Sequence, residues 1–355
     1  MLYRSENPHG GDRYGPPVTL DFSANLNPYG TPPGVIAAVQ GTLDRLHHYP
    51  DPQCRDLVQA IASFEDLPPE DILCGNGASA LIFAYCQALA PAVAVELAPT
   101  FLGYSRALEA VGCRVVRFPL SQERDFLPDR ALLTFLNEVR PDVVFLCHPN
   151  NPTGQLLPPL LLEAVAAFCR THRTRLFLDE CFLDLTDSGQ SGKVLLDQTP
   201  GLFLLKAFTK SYGMAGLRLG YGLSRDHDLL ARMARQVSAW DVSLPAQAAG
   251  IAALQEQDFL DQARRTIARE RAWLAQALTD LGFWVCPSQA NFLLFSGPPG
   301  LYPALLARRI ALRPCGNFPG LSPCWYRVAV RRREENQALI AALAAAGKEA
   351  PWPKT

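Results

Sequence analysis

The chain has 355 residues, of which 48% are hydrophobic and 19% charged, with a formal net charge of −1. At roughly 150 residues per domain this leaves room for about two domains, and so much apolar material excludes general disorder. The charge balance offers no field to draw nucleic acid or an acidic membrane, no apolar run approaches the ~20 residues of a membrane helix, and the N-terminus shows no apolar signal segment, so the expectation is a cytoplasmic enzyme with neither nucleic acid nor membrane as partner.

Residues 1–35 are rich in Gly, Pro and Asn and read as an irregular arm. From about 70 to 225, short apolar runs at 72–75, 92–97, 114–118, 143–147, 175–179, 202–206 and 219–223 alternate with helical patterns such as 79–90, 104–112 and 158–172. Strands alternating with helices predict an α/β domain with a mainly parallel sheet. Uninterrupted runs such as VVFLC and RLFLD fit strands buried on both faces. Beyond them, 224–240 and 258–282 read as long helices, 291–295 and 325–330 as strands, and 332–346 as a last helix. This is a smaller α+β unit, and the arm is expected to join it, because chain ends often lie close together. The expected division is an arm at 1–35 contributing to the small domain, a large domain at 36–245 and a small C-terminal domain at 246–355.

The ten cysteines include no CxxC pair and none at metal-ligand spacing from a His, so they read as reduced, mostly buried thiols with no metal site. Lysine is scarce: Lys193, Lys206, Lys210, Lys348 and Lys354 are all there are. Lys210 follows a strand among small residues, and Arg218 lies eight residues on between Gly216 and Gly220. A lysine that forms a Schiff base must be partly desolvated to free its amine, and a nearby Arg can fork onto a phosphate. An ordinary basic loop would have the same composition. Asp179-Glu180 follows the strand RLFL, where open α/β sheets face their ligand crevice; Asp179 is equally suited to cap a helix. Gly75-Asn76-Gly77-Ala78-Ser79 joins a strand to a helix and can present free N–H groups to an anion, or be a tight turn. His148-Pro-Asn-Asn-Pro-Thr-Gly154 is a rigid turn able to aim an Asn side chain.

Taken in order and spacing, the glycine loop, NNPTG, DE after a strand, and Lys with Arg eight later resemble fold type I pyridoxal-phosphate enzymes. Nearly the whole chain resembles the class I/II aminotransferase superfamily, in the branch that holds histidinol-phosphate aminotransferases and L-threonine-O-3-phosphate decarboxylases. The resemblance implies a large domain with a mainly parallel seven-stranded sheet flanked by helices, plus a smaller α+β domain, and pyridoxal 5'-phosphate as cofactor. It implies that Lys210 bonds covalently to the cofactor and that Asp179 holds the ring nitrogen protonated. It further implies that Asn151 bonds the ring hydroxyl and that Gly77, Ala78, Ser79, Thr209 and Arg218 bind the cofactor phosphate. Tyr104, in PTFLGY, is implied to stack on the ring. Tyr49, in HYPDPQ, is implied to reach the cofactor phosphate of a neighbouring subunit, hence a homodimer with shared sites.

Within that branch four features resemble the decarboxylases. His9-Gly-Gly resembles their arm, whose His contacts substrate phosphate. Asp21-Phe-Ser-Ala-Asn25-Leu-Asn27-Pro resembles their DFSANxNP segment. Arg313-Pro-Cys-Gly-Asn317-Phe-Pro-Gly-Leu resembles the stretch after a paired arginine, so Arg313 and Arg327 would clamp phosphate and carboxylate, and Phe182 stands where aminotransferases usually carry Tyr. The implied activity is decarboxylation of L-threonine O-3-phosphate to (R)-1-amino-2-propanol O-2-phosphate for cobalamin, with His9, Asn25, Asn151, Arg313 and Arg327 on the substrate. The alternatives are a histidinol-phosphate or related aminotransferase, or a decarboxylase of L-serine phosphate.

Overall fold

The computed structural model describes residues 9–12 and 14–349. Of the expected arm and small domain, 1–8, 13 and 350–355 lie outside the described residues. Seven strands, Ile72–Gly75 (β1), Val93–Ala98 (β2), Arg114–Pro119 (β3), Val143–Cys147 (β4), Arg175–Asp179 (β5), Leu202–Ala207 (β6) and Gly220–Leu223 (β7), fall within one residue of the apolar runs. They form one sheet in the order β1-β7-β6-β5-β4-β2-β3. Pairing is parallel from β6 across to β3, and β7 runs antiparallel to both β6 and β1.

Every residue of β4 and β6 is buried. Successive side chains of a strand point to opposite faces, so each strand feeds two cores. Val144, Leu146, Leu176, Leu178, Leu202 and Leu204 enter one, while Val143, Phe145, Phe177, Phe203 and Leu205 enter the other. The carboxyl ends of the parallel strands then lie along one edge, where a crevice is expected.

Among the described residues the small unit has a four-stranded sheet of Trp284–Val285 (β8), Phe292–Ser296 (β9), Arg313–Pro314 (β10) and Trp325–Ala329 (β11). They pair in the antiparallel order β10-β11-β9-β8. The arm joins it: Leu20–Asp21 pairs in parallel with Ile310–Ala311, and Phe22 is buried among Phe295, Tyr326 and Leu339.

Two expectations need correction. The helix read over 224–240 is only His227–Ala234; Val237 and Ser238 are weak helix formers, and the chain turns at Trp240, whose φ is +61°. A second helix, Leu244–Ala253, runs across the 245/246 boundary. Its Ala246, Ala249 and Ala253 share a core with Leu57 and Leu219, so they belong with the large sheet. The crossover comes later, along the helix Gln257–Asp280. Its Leu260, Ala263 and Ile267 enter the large core, and its Leu274 and Leu278 the small one.

Candidate active site

A cavity of about 230 Å³ lies where the carboxyl ends of β4, β5 and β6 meet the arm and the small sheet. Asp179, the last residue of β5, forms its floor. Its Oδ1 accepts the Cys181 N–H at 2.9 Å and its Oδ2 the Tyr104 hydroxyl at 2.5 Å. Burial raises its carboxyl above the usual range, while these donors and Lys210 oppose the rise.

Lys210 rides on the four-residue helix Phe208–Ser211 that follows β6. Burial, and then Arg327, lower its pKa from 10.5 to about 8, with Cys181 and Asp179 pulling the other way. The other lysine of the segment, Lys206, is 6% exposed and pairs with Glu65 and Asp184, each at 3.2 Å. Burial works against its charge, but Asp184, Glu65 and Glu180 outweigh it and hold its pKa above the ordinary value. Of the two, Lys210 is the amine set up to react.

At one end of the cavity the helix Gly77–Leu89 points its N-terminus inward, with Ala78 and Ser79 on the wall. Gly77 has φ +78°, and a Cβ there would sit 2.7 Å from Arg218 Nη2, so only glycine admits the guanidinium beside the free N–H groups. Thr209 and Arg218 complete that wall. The combination of helix N-terminus, hydroxyls and guanidinium is an anion cradle.

The other end is cationic. Arg313 on β10 and Arg327 on β11 are direct cross-strand partners, and both are buried. Like charges placed opposite each other destabilise a sheet, so the arrangement favours an anion between them. Arg327 donates to Asn151 Oδ1 and, at 2.9 Å, to the Ser23 carbonyl. The Asn25 amide oxygen, turned toward it, accepts from Nη1 at 3.3 Å and Nε at 3.2 Å. These partners are neutral, and burial lowers the pKa of Arg327 to about 10. Arg313 donates to Asn317 Oδ1 at 2.9 Å and lies 5.2 Å from the centre of the Phe318 ring. His9 sits across the mouth, its ring 5.7 Å from that of Phe101. Burial, then Arg313, Arg106, Arg327 and Lys210, lower its pKa to about 4, so it is a neutral imidazole at neutral pH.

The cavity thus brings together His9, Asn25, Ala78, Ser79, Asn151, Asp179, Thr209, Lys210, Arg218, Arg313 and Arg327, with Gly77 directly behind Arg218. Two expected residues lie outside the lining of this chain's cavity, Tyr49 being expected at a neighbouring subunit's. Tyr104 does not line the cavity; it is fully buried, its hydroxyl committed to Asp179. Phe101, three residues earlier, is the ring of PTFLGY that faces the space, and periodicity cannot tell which of two aromatics one turn apart points inward. Tyr49 is 77% exposed and stacks on Trp240 at 4.4 Å, outside the cavity of its own chain. Phe182 lines the cavity with its ring centre 5.8 Å from Lys210 Nζ and offers no hydroxyl. Phe101, Phe318 and the Ser23 carbonyl were not singled out from sequence, and each lies within a segment that was.

The model of the aminotransferase class I and II family matches residues 17–343. The chain is 38% identical over 332 residues to a threonine-phosphate decarboxylase of Salmonella typhimurium, covering 92% of this chain and 91% of that protein. It is 33% identical over 332 residues to a histidinol-phosphate aminotransferase of Symbiobacterium thermophilum, covering 92% and 90%. The crystal structure of histidinol-phosphate aminotransferase from Sinorhizobium meliloti in complex with pyridoxal-5'-phosphate superposes with a TM-score of 0.82 at 27% identity, over 94% of this chain and 92% of that one.

Proposed function

The chain belongs to the aminotransferase class I and II family, and from that premise we propose that it uses pyridoxal 5'-phosphate to decarboxylate L-threonine O-3-phosphate, giving CO2 and (R)-1-amino-2-propanol O-2-phosphate, a precursor of the cobalamin linker. The residues present suit the cofactor. The glycine-lined cradle beside Arg218 would accept its phosphate, buried Asp179 its protonated ring nitrogen, and the depressed amine of Lys210 its aldehyde carbon. When bound, the cofactor supplies an electron sink for the pair left as a bond at the substrate α-carbon breaks.

The chain's own groups do the rest. Gly77, Ala78, Ser79, Thr209 and Arg218 would hold the cofactor phosphate, and Asn151 would orient the ring. Arg313 and Arg327, with His9 and Asn25, hold the substrate's phosphate and carboxylate. Lys210 Nζ, an amine of pKa about 8, carries the proton that takes the place of the departing carboxylate. Phe101, Phe182 and Phe318 keep water from the space between these groups. In this reading the enzyme is a cytoplasmic homodimer. Exposed Leu43, Leu46, Tyr49 and Trp240 offer an apolar patch for the second subunit, and Tyr49 would reach that subunit's cofactor phosphate.

The observation that carries the reading is the arginine pair at one register position. Threonine phosphate brings one carboxylate and one phosphate, an anion for each guanidinium, whereas histidinol phosphate brings a phosphate and no carboxylate. The second reading, a histidinol-phosphate aminotransferase, is favoured by the 33% identity to such an enzyme. The deciding assay is CO2 release from L-threonine O-3-phosphate by cofactor-loaded protein without a keto acid. Steady release supports the decarboxylase. Absence of CO2, with glutamate formed from histidinol phosphate and 2-oxoglutarate, supports the aminotransferase. L-serine phosphate, lacking one methyl group, should lose about 1–3 kcal/mol in kcat/KM.

A further inference from the structure

The helix that carries Lys210 has no second turn, so the carbonyls at its end lack intrahelical donors. Asn27 of the arm satisfies two of them. Its backbone N–H donates to the Lys210 carbonyl at 3.0 Å, and its Nδ2 donates to the Ser211 carbonyl at 2.8 Å. Its Oδ1 accepts the Tyr29 N–H at 2.9 Å, which fixes the amide so that Nδ2 faces Ser211. Asn27 is 3% exposed. Further along, Thr31 Oγ1 donates to the Gly213 carbonyl at 2.9 Å. Gly213 has φ +61° and lies against Gly30, where a Cβ would strike the carbonyl.

The same segment is fastened on its other side to the small unit. Ser23 and Asn25 accept from Arg327, the Leu26 carbonyl from Asn291 Nδ2 at 3.4 Å, and the Pro28 carbonyl from Arg332 Nε at 3.2 Å. Residues 23–31 therefore tie the guanidinium of Arg327, held by Ser23 and Asn25, to the backbone of Lys210, held by Asn27.

From this geometry we infer that Asn27 is a positioning residue: it caps the Lys210 turn and sets where the Lys210 amine stands relative to Arg327. Asn27 does not line the cavity, so it acts through the Lys210 and Ser211 carbonyls. The inference rests on the reading of Lys210 as the cofactor lysine. It goes beyond that reading by giving a function to the second Asn of the SANLNP segment and by coupling anion capture at Arg327 to the amine that moves the proton.

The test uses Asn27→Ala and Asn27→Asp in the cofactor-loaded enzyme. Asp keeps the volume and the bond from Tyr29 but sets a carboxylate oxygen against the Ser211 carbonyl. Two quantities are read on each: the kcat and KM split, and the pH at which the cofactor absorbance titrates without substrate. The Lys210 amine is faced by Arg327, Arg218, Asp179 and Cys181, and a displaced amine feels them differently. Both variants should lose about tenfold or more in kcat while KM stays within about threefold, and the absorbance titration should shift. If Asn27→Ala fails to fold, Asn27→Asp supplies the same readouts. Variants with a lowered melting temperature but unchanged kcat, KM and titration would show a merely structural residue and overturn the inference. Because the titration needs no substrate, it is independent of which reaction is catalysed. A wild-type chain that forms no cofactor absorbance overturns the function as well, whereas a normal wild-type titration with unaltered variants overturns the role of Asn27 alone.

Discussion

Lys206 and Lys210 lie on consecutive elements, four residues apart, and their surroundings give them opposite character. Lys206 points beneath the sheet edge into carboxylates, with Glu65 and Asp184 each at 3.2 Å. There Glu65 also receives the Tyr221 hydroxyl at 2.6 Å and Lys193 at 3.0 Å. Lys210 points into the cavity, where Arg327 and Arg218 face it. Burial disfavours the charged amine in both; the sign of the neighbours decides the outcome. The charge of Lys206 is locked in place, and that of Lys210 is made easy to lose. The first is a structural tie and the second a reactive group, although the sequence KAFTK presents them alike.

Substitutions sharpen the contrast. Lys210→Ala should cut turnover by at least about 10³-fold and remove the cofactor absorbance while leaving the thermal unfolding temperature nearly unchanged; activity that survives would break the assignment. Lys206→Met should do the reverse. It leaves Glu65 and Asp184 without their shared cation and should cost about 3 kcal/mol of stability, read as a lower urea midpoint, with kcat of the folded fraction largely retained. Arg327→Met removes a buried guanidinium from the anion end and should cost about 2–5 kcal/mol in kcat/KM, with most of the loss in KM if the arginine only binds.

The smallest effect is one of rate. With its pKa lowered to about 8, the Lys210 amine is half neutral near that pH, whereas an ordinary lysine, at 10.5, is almost wholly charged. Acylation of the cofactor-free protein near pH 8, mapped by peptide mass spectrometry, should therefore label Lys210 first and Lys206 last. The same depression bears on stability. The unfolded chain binds the proton more tightly than the folded one, so this group destabilises the fold below about pH 8; that penalty shrinks as pH rises toward 10.5 and is gone above it.

Much of the sheet was legible because central parallel strands must be apolar on both faces, which leaves runs such as VVFLC with no competing interpretation. The chemistry at strand ends was legible for a related reason: Asp179 ends such a run, and Asn151 and Lys210 follow one within four residues. Helices whose pattern mixes small apolar residues were not. Leu244–Ala253 reads LPAQAAGIAA, with little periodicity, although Ser243 ahead of Pro245 is an N-terminal signal that could have found it. The facing of aromatic residues was not legible either, and Phe101 rather than Tyr104 lines the cavity. Nor was the register that sets Arg313 beside Arg327, because antiparallel pairing across a loop is fixed by three-dimensional packing and by the turn between the strands.

The most direct test of the central claim is to load the purified protein with pyridoxal phosphate, reduce it with borohydride, and locate the modified lysine in its peptides. The account predicts a single stable adduct on Lys210. An adduct on Lys206, on Lys193 or on no lysine would contradict it.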